Sequence, residues 1–312
     1  MSSPPLLCRI IDGGLSTQLE SQGVDLTSHP KLWTAGLLSS PSGRTQLKTA
    51  HSNFAAAGAD IILTSSYQAS HAMSVELLHH SVNLALEIKI EKPEVKVFLS
   101  LGPYGATLAD GSEYTGKYDE EVTVESLKIF HTERIDILLD GEPDVDGLAF
   151  ETIPNSRELT SILEILKMEK YANYDTWITF SSPDGIHTCS GETFSTLIAS
   201  TIIPAFKDTT AKRYIGLNCV HPSSVSPFLD IVLPLLPTSN ISGIVAYPNN
   251  GGAWNPLSRS WEENDDDKIG YVNAAVEWRD RVWKVEREVF IGGCCSTDAR
   301  TIRGLKEKLC NC

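Results

Sequence analysis

The chain of 312 residues is short of positive charge: 26 lysines and arginines stand against 40 aspartates and glutamates, a net charge of −14. A surface so acidic does not suit a polyanion, so nucleic acid and anionic membrane surfaces are excluded as expected partners. Apolar runs of about 18 residues are missing, and the first residues, Met1-Ser2-Ser3-Pro4-Pro5, lack the basic and apolar stretches of a secretory leader. The expectation is a cytoplasmic protein acting on small molecules. No low-complexity linker divides the chain. His-x-His and His-Glu-x-x-His spacings are also missing, which argues against zinc hydrolases with imidazole ligands. The seven cysteines are an odd number and two are adjacent, a poor disulfide framework but a reasonable set of reduced thiols or metal ligands.

What is present is a repeat. Eight short apolar runs begin at Cys8, Asp60, Lys96, Gly147, Thr176, Tyr214, Ser242 and Val289, on average about 40 residues apart, room for one strand, one helix and two loops. Between them, Arg44 to Ala57, Val75 to Ile90 and Glu120 to Leu139 have helical spacing, and Gly58 is a natural helix stop. Strands buried on both faces and joined by crossover helices give a doubly wound sheet or a closed barrel. Eight units favour a single (β/α)8 TIM barrel over residues 1–312, with a frayed tail at 310–312.

Barrel chemistry is expected at the C-terminal ends of the strands. The first run ends in Asp12-Gly13-Gly14, the fourth in Glu151-Thr152, the sixth in Asn218-Cys219 and the eighth in Gly292-Gly293-Cys294-Cys295. Only one strand separates the sixth from the eighth, so Cys219, Cys294 and Cys295 could share a zinc ion with a fourth position open. Burial as ordinary core cysteines is the alternative. Asp12 and Glu151 together could hold an amino-acid ammonium, although a strand-end turn and an internal salt bridge explain each singly. His221 is the rival ligand, and a surface or capping role suits it better. The run Glu262 to Asp267 reads as a solvated loop before a helix near Lys268.

In these motifs the chain resembles the homocysteine S-methyltransferase family from about Arg9 to Leu309. The resemblance rests on Asp12-Gly13-Gly14, on Thr64 to Ser70 (TSSYQAS), on Phe150-Glu151-Thr152-Ile153-Pro154-Asn155, on Gly216-Leu217-Asn218-Cys219 and on Gly292-Gly293-Cys294-Cys295. It implies zinc-dependent methylation of L-homocysteine to methionine, with Cys219, Cys294 and Cys295 as ligands and the homocysteine sulfur as the fourth. It further implies that Asp12 and Glu151 hold the substrate amino group, that the backbone at Gly13 binds its carboxylate, and that Asn218 lines the substrate site. A free thiol is only roughly 3% thiolate at pH 7, so metal coordination would populate the nucleophile.

S-methylmethionine is the favoured donor, with S-adenosylmethionine as second. Betaine is disfavoured, because betaine-using relatives carry tyrosines where Gln68 and Thr152 stand here. Related enzymes also methylate selenocysteine. Among the aromatic residues expected near the mouth (Tyr67, Tyr104, Tyr247, Trp33 and Trp254), the tryptophans are the preferred contacts for a sulfonium. Two other readings remain open: a non-catalytic zinc or thiol-redox sensor, closed by His221 or a tail cysteine, and a zinc hydrolase. Nothing in the sequence fixes the oligomeric state.

Overall fold

The computed structural model describes residues 7–26, 32–68, 70, 73–251, 253–255, 260–262 and 265–310, the side chains within 253–269 excepted. Eight parallel strands form one sheet: β1 Cys8–Ile10, β2 Ile61–Leu63, β3 Lys96–Leu101, β4 Gly147–Ile153, β5 Asp175–Phe180, β6 Arg213–Asn218, β7 Gly243–Tyr247 and β8 Glu288–Ile291. β8 pairs with both β7 and β1, and a parallel bridge between Ile11 and Ile61 joins β1 to β2, so the sheet comes round on itself. The expected (β/α)8 barrel is the fold observed. A separate antiparallel ribbon pairs Ala253–Asn255 with Ser260–Glu262, an insertion after β7 that the sequence did not signal.

The crossovers are α1 Pro41–Ala57, α2 Val75–Glu91, α3 Val124–Leu138, α4 Ser156–Ile165, α5 (through Phe194–Leu197, Ile198–Ile202 and Ile203–Ala205), α6 Val225–Val232, α7 Asp265–Trp283 and α8 Ala299–Cys310. Local chemistry sets their ends. Ser40 caps the amide of Gly43 at the start of α1, and Gly58 ends it at φ +104°. A reciprocal Thr123–Ser126 capping box starts α3 at Val124, later than the acidic residues at 120–121 suggested. Among the described residues, no helix is long and apolar enough to cross a membrane.

Strand alternation creates two cores. Outward residues such as Leu148, Phe150, Ile178 and Phe180 pack against the helices. Inward residues Ile11, Ile61, Phe98, Ala149, Trp177, Tyr214, Val245 and Phe290 plug the barrel, with Phe98 stacked on Trp177 at 4.6 Å between ring centroids. Each of the larger aliphatic and phenylalanine side chains among them contributes roughly 1.5–3 kcal/mol by burial. Two residues further along the same inward faces lie Ser100, Glu151, Thr179 and Tyr247. The period of two thus lifts a polar layer directly above the apolar plug.

Candidate active site at the C-terminal mouth

Glu151, on the inward face of β4, is 5% exposed. One carboxylate oxygen accepts from the Ser100 hydroxyl and the other from the Tyr247 hydroxyl at 3.0 Å. Burial raises its pKa to about 7, opposed by these two hydrogen bonds and by the charge of Arg134. Ser100 is itself fixed: its amide donates to the Thr64 hydroxyl at 2.9 Å, and Ser66 donates to its carbonyl at 2.8 Å. The Thr-Ser-Ser stretch therefore acts on Glu151 through Ser100. Tyr247 is held by Trp177 Nε1 at 3.2 Å and Thr179 Oγ1 at 2.9 Å.

Asp12 follows β1 and is also buried, with Oδ2 accepting from the Leu63 amide at 2.9 Å. Burial pushes its pKa well above the ordinary carboxylate range, and the nearby Glu151 pushes it further. Two carboxylates sharing a low-dielectric mouth favour a cationic guest, which would relieve both penalties.

The thiols come from the loops after β6 and β8, the latter beside β1 and Asp12. Cys219 takes a left-handed φ of +51°, a conformation costing on the order of 1–3 kcal/mol for a non-glycine residue, with its amide on Tyr247 O at 3.2 Å. Cys294 is held by its amide on Pro248 O at 2.8 Å and by Thr297 Oγ1 donating to its carbonyl at 2.6 Å. Gly14 binds the Thr297 hydroxyl at 3.0 Å, and a Cβ there would lie 2.3 Å from the Cys294 carbonyl oxygen. A Cβ on Gly293 would lie 2.3 Å from Thr297 Oγ1. Glycines just after β1 and β8 thus let the two loops interlock beneath the cysteine pair.

The sulfurs of Cys219, Cys294 and Cys295 lie within 4.8 Å of one another, the one such metal-capable group among the described residues. Cys219 and Cys294 are joined as a disulfide, with Cα atoms 5.4 Å apart, and Cys295 Sγ lies 3.9 Å from Cys294 Sγ. Sulfurs near enough to share an ion are near enough to bond each other when oxidised, so three thiolate donors require the reduced form. Burial raises the Cys295 thiol to about 11, a penalty that a cation would reverse. A soft, all-sulfur set of three fits zinc.

The rival ligands are elsewhere. His221 is exposed, and its Nδ1 accepts from the Ser223 amide at 3.2 Å as a helix cap. Cys310 ends α8 in a side-chain hydrogen bond with Cys8, at the N-terminal end of β1 and so across the barrel from the cluster. Residues 311–312 lie outside the described set.

Asn218, expected to line the substrate site, also holds the neighbouring strand end. Its Oδ1 accepts from the Thr152 amide at 2.7 Å, and its Nδ2 donates to the Thr152 hydroxyl at 2.8 Å, clamping a residue at φ +60° next to Glu151. Tyr104 packs edge-on against Tyr118 and Phe130, and its amide binds Glu158 at 2.7 Å, a structural role. Trp33 packs against the core, and the side chain of Trp254 lies outside the described set. Sequence reasoning missed Ser100, the one polar residue in Val97-Phe98-Leu99-Ser100-Leu101 and the available signal for it.

A model of the homocysteine S-methyltransferases matches residues 9–309. The chain belongs to the homocysteine S-methyltransferase family. It is 38% identical to homocysteine S-methyltransferase 2 of Zea mays, over 96% of this chain and 89% of that one. It is 36% identical to a selenocysteine Se-methyltransferase of Brassica oleracea var. italica, over 96% and 88%. Crystal structures of the homocysteine methyltransferase MmuM from Escherichia coli superpose with TM-scores of 0.75 for a metallated form and 0.76 for an oxidised form. Those structures are 28% and 27% identical and cover 98% of this chain and 97% of that chain in each case. The family match spans every strand of the barrel and all five motifs of the mouth.

Proposed function

We propose that this family member transfers a methyl group from a sulfonium donor, preferentially S-methylmethionine, to the sulfur of L-homocysteine, giving methionine. The observation that carries the reading is the meeting of three cysteine sulfurs with two buried carboxylates at one barrel mouth. The family's curated members and the metallated form of the bacterial relative support it.

Reduced Cys219, Cys294 and Cys295 would hold zinc. When bound, zinc supplies a positive centre that favours the thiolate form of a substrate thiol at neutral pH. Asp12 and Glu151 face the substrate ammonium, Gly13 offers its backbone to the carboxylate, and Asn218 keeps the Glu151 strand end in place through Thr152. The homocysteine thiol proton leaves to solvent and the sulfur forms a C–S bond to the methyl carbon. The donor's C–S bond breaks, and its electron pair stays on the departing sulfur as a neutral thioether. The leaving group needs no proton, so no general acid or oxyanion site is required.

A donor panel tests the preference. With reduced, zinc-loaded protein and homocysteine, the expected order of kcat/KM is S-methylmethionine, then S-adenosylmethionine, then betaine. A lead for betaine would overturn the donor assignment.

A further inference from the structure

Glu113 sits on a short 3-10 turn, Ser112–Tyr114, in the loop after β3. Its backbone is pinned over the mouth: its carbonyl accepts from Ser181 Oγ, just beyond β5, at 2.7 Å, and Ser181 also donates to Thr152 O at 3.3 Å. A Cβ on Gly105 would come within 2.8 Å of the Glu113 amide nitrogen, so the loop closes tightly beneath it. The side chain is 9% exposed, and its Oε2 is buried with no hydrogen-bond partner. No lysine, arginine or histidine pairs with it among the described residues. The groups within its electrostatic reach include Cys295 of the thiol cluster and Tyr67. The Tyr67 hydroxyl is likewise buried, with the Thr152 side chain beside it.

A carboxylate oxygen withdrawn from water with nothing to accept from is costly, and the cost is removed only by a hydrogen-bond donor, best a charged one. The proposed reaction brings up to three positively charged groups into the mouth. The homocysteine ammonium is met by Asp12 and Glu151. The methyl donor brings a sulfonium and, in the amino-acid type, an α-ammonium. The sulfonium has no N–H or O–H to give, and a carboxylate against it would favour the ground state, because its charge disappears as the methyl leaves. The α-ammonium keeps its charge throughout and carries three N–H donors.

Building on the function proposed above, we infer that Glu113, beside Tyr67, is the anchor for the α-ammonium of an amino-acid-type methyl donor. Donors are then selected by a free amino group remote from the transferred methyl, and Glu113 contributes to donor binding rather than to the chemical step.

The test compares S-methylmethionine with its desamino analogue, (3-carboxypropyl)dimethylsulfonium, which keeps the sulfonium and the carboxylate. Calorimetry measures the binding of each to zinc-loaded wild type and to Glu113→Gln, with turnover followed in parallel. The wild type is expected to bind S-methylmethionine about tenfold to a hundredfold tighter than the analogue, and Glu113→Gln to lose that preference while homocysteine affinity stays within twofold. Equal binding of the two compounds by wild type, or a preference that persists in Glu113→Gln, overturns the assignment. Should Glu113→Gln not fold, the wild-type comparison together with Tyr67→Phe decides it, since Tyr67→Phe must weaken S-methylmethionine more than the analogue. Binding with the expected preference but no methionine formed would contradict the proposed function and leave the ammonium anchor standing.

Discussion

The Tyr247 hydroxyl, 3.0 Å from Glu151 Oε2, ties the end of β7 to the end of β4 across the barrel. It is one of the two side-chain hydrogen bonds that hold the Glu151 pKa near 7 against the upward push of burial. Tyr247→Phe removes that donor and leaves a buried carboxylate oxygen unpaired, at a cost of about 1–3 kcal/mol. The expected result is a lower melting temperature and a homocysteine KM whose pH dependence moves to higher pH. A KM–pH profile identical to wild type would show that Tyr247 does not tune Glu151.

The raised pKa of Glu151 has a defined sign for stability. The carboxyl titrates at about 7 in the folded protein against 4.5 ordinarily, so its stabilising contribution is complete below about 4.5 and is lost as pH rises through about 7. That loss amounts to at most about 3 kcal/mol. The homocysteine ammonium favours the ionised form, so homocysteine binding should strengthen as pH rises through about 7 and should release protons. Melting curves at pH 5.5 and pH 8 with and without homocysteine check both. In Glu151→Gln the drop between the two pH values should shrink.

Asn218 is expected to act by position. Asn218→Ala strips the Thr152 amide and hydroxyl of their buried partners and should destabilise the fold by about 2–3 kcal/mol. It should also raise the homocysteine KM through displacement of Glu151. Denaturant unfolding alongside steady-state kinetics reads both effects. Lost affinity with full stability would instead indicate direct substrate contact.

The barrel was legible in the sequence because both faces of its strands are buried, so each strand is a short apolar run and eight runs can be counted. The thiol triad and the two carboxylates were legible because barrel geometry sends function to strand ends, and these residues follow β1, β4, β6 and β8. The polar layer was harder. Ser100 and Tyr247 are single polar positions inside apolar runs, and only the inward register shows that both reach Glu151. Asn218 sits at a strand end like a ligand, and its clamp on Thr152 is a pairing set by the left-handed turn there. Glu113 lies on a loop whose closure depends on a contact with Ser181, far away in the chain, for which sequence spacing offers no rule.

Metal content separates the two cysteine groups. Cys219→Ser, Cys294→Ser and Cys295→Ser should each lose most bound zinc, because each supplies one of three ligands. Gly14→Ala should also weaken zinc binding, by pushing on the Cys294 carbonyl. Cys310→Ser, at the other end of the barrel, should keep full stoichiometry. Elemental analysis of protein purified under reducing conditions checks the set, and zinc loss in Cys310→Ser would favour a closed structural site.

The most direct test of the central claim is methionine formation by reduced, zinc-loaded protein from L-homocysteine and S-methylmethionine, with and without chelator. The account predicts turnover that the chelator abolishes and added zinc restores. Protein shown to hold zinc that forms no methionine with any sulfonium donor would contradict it.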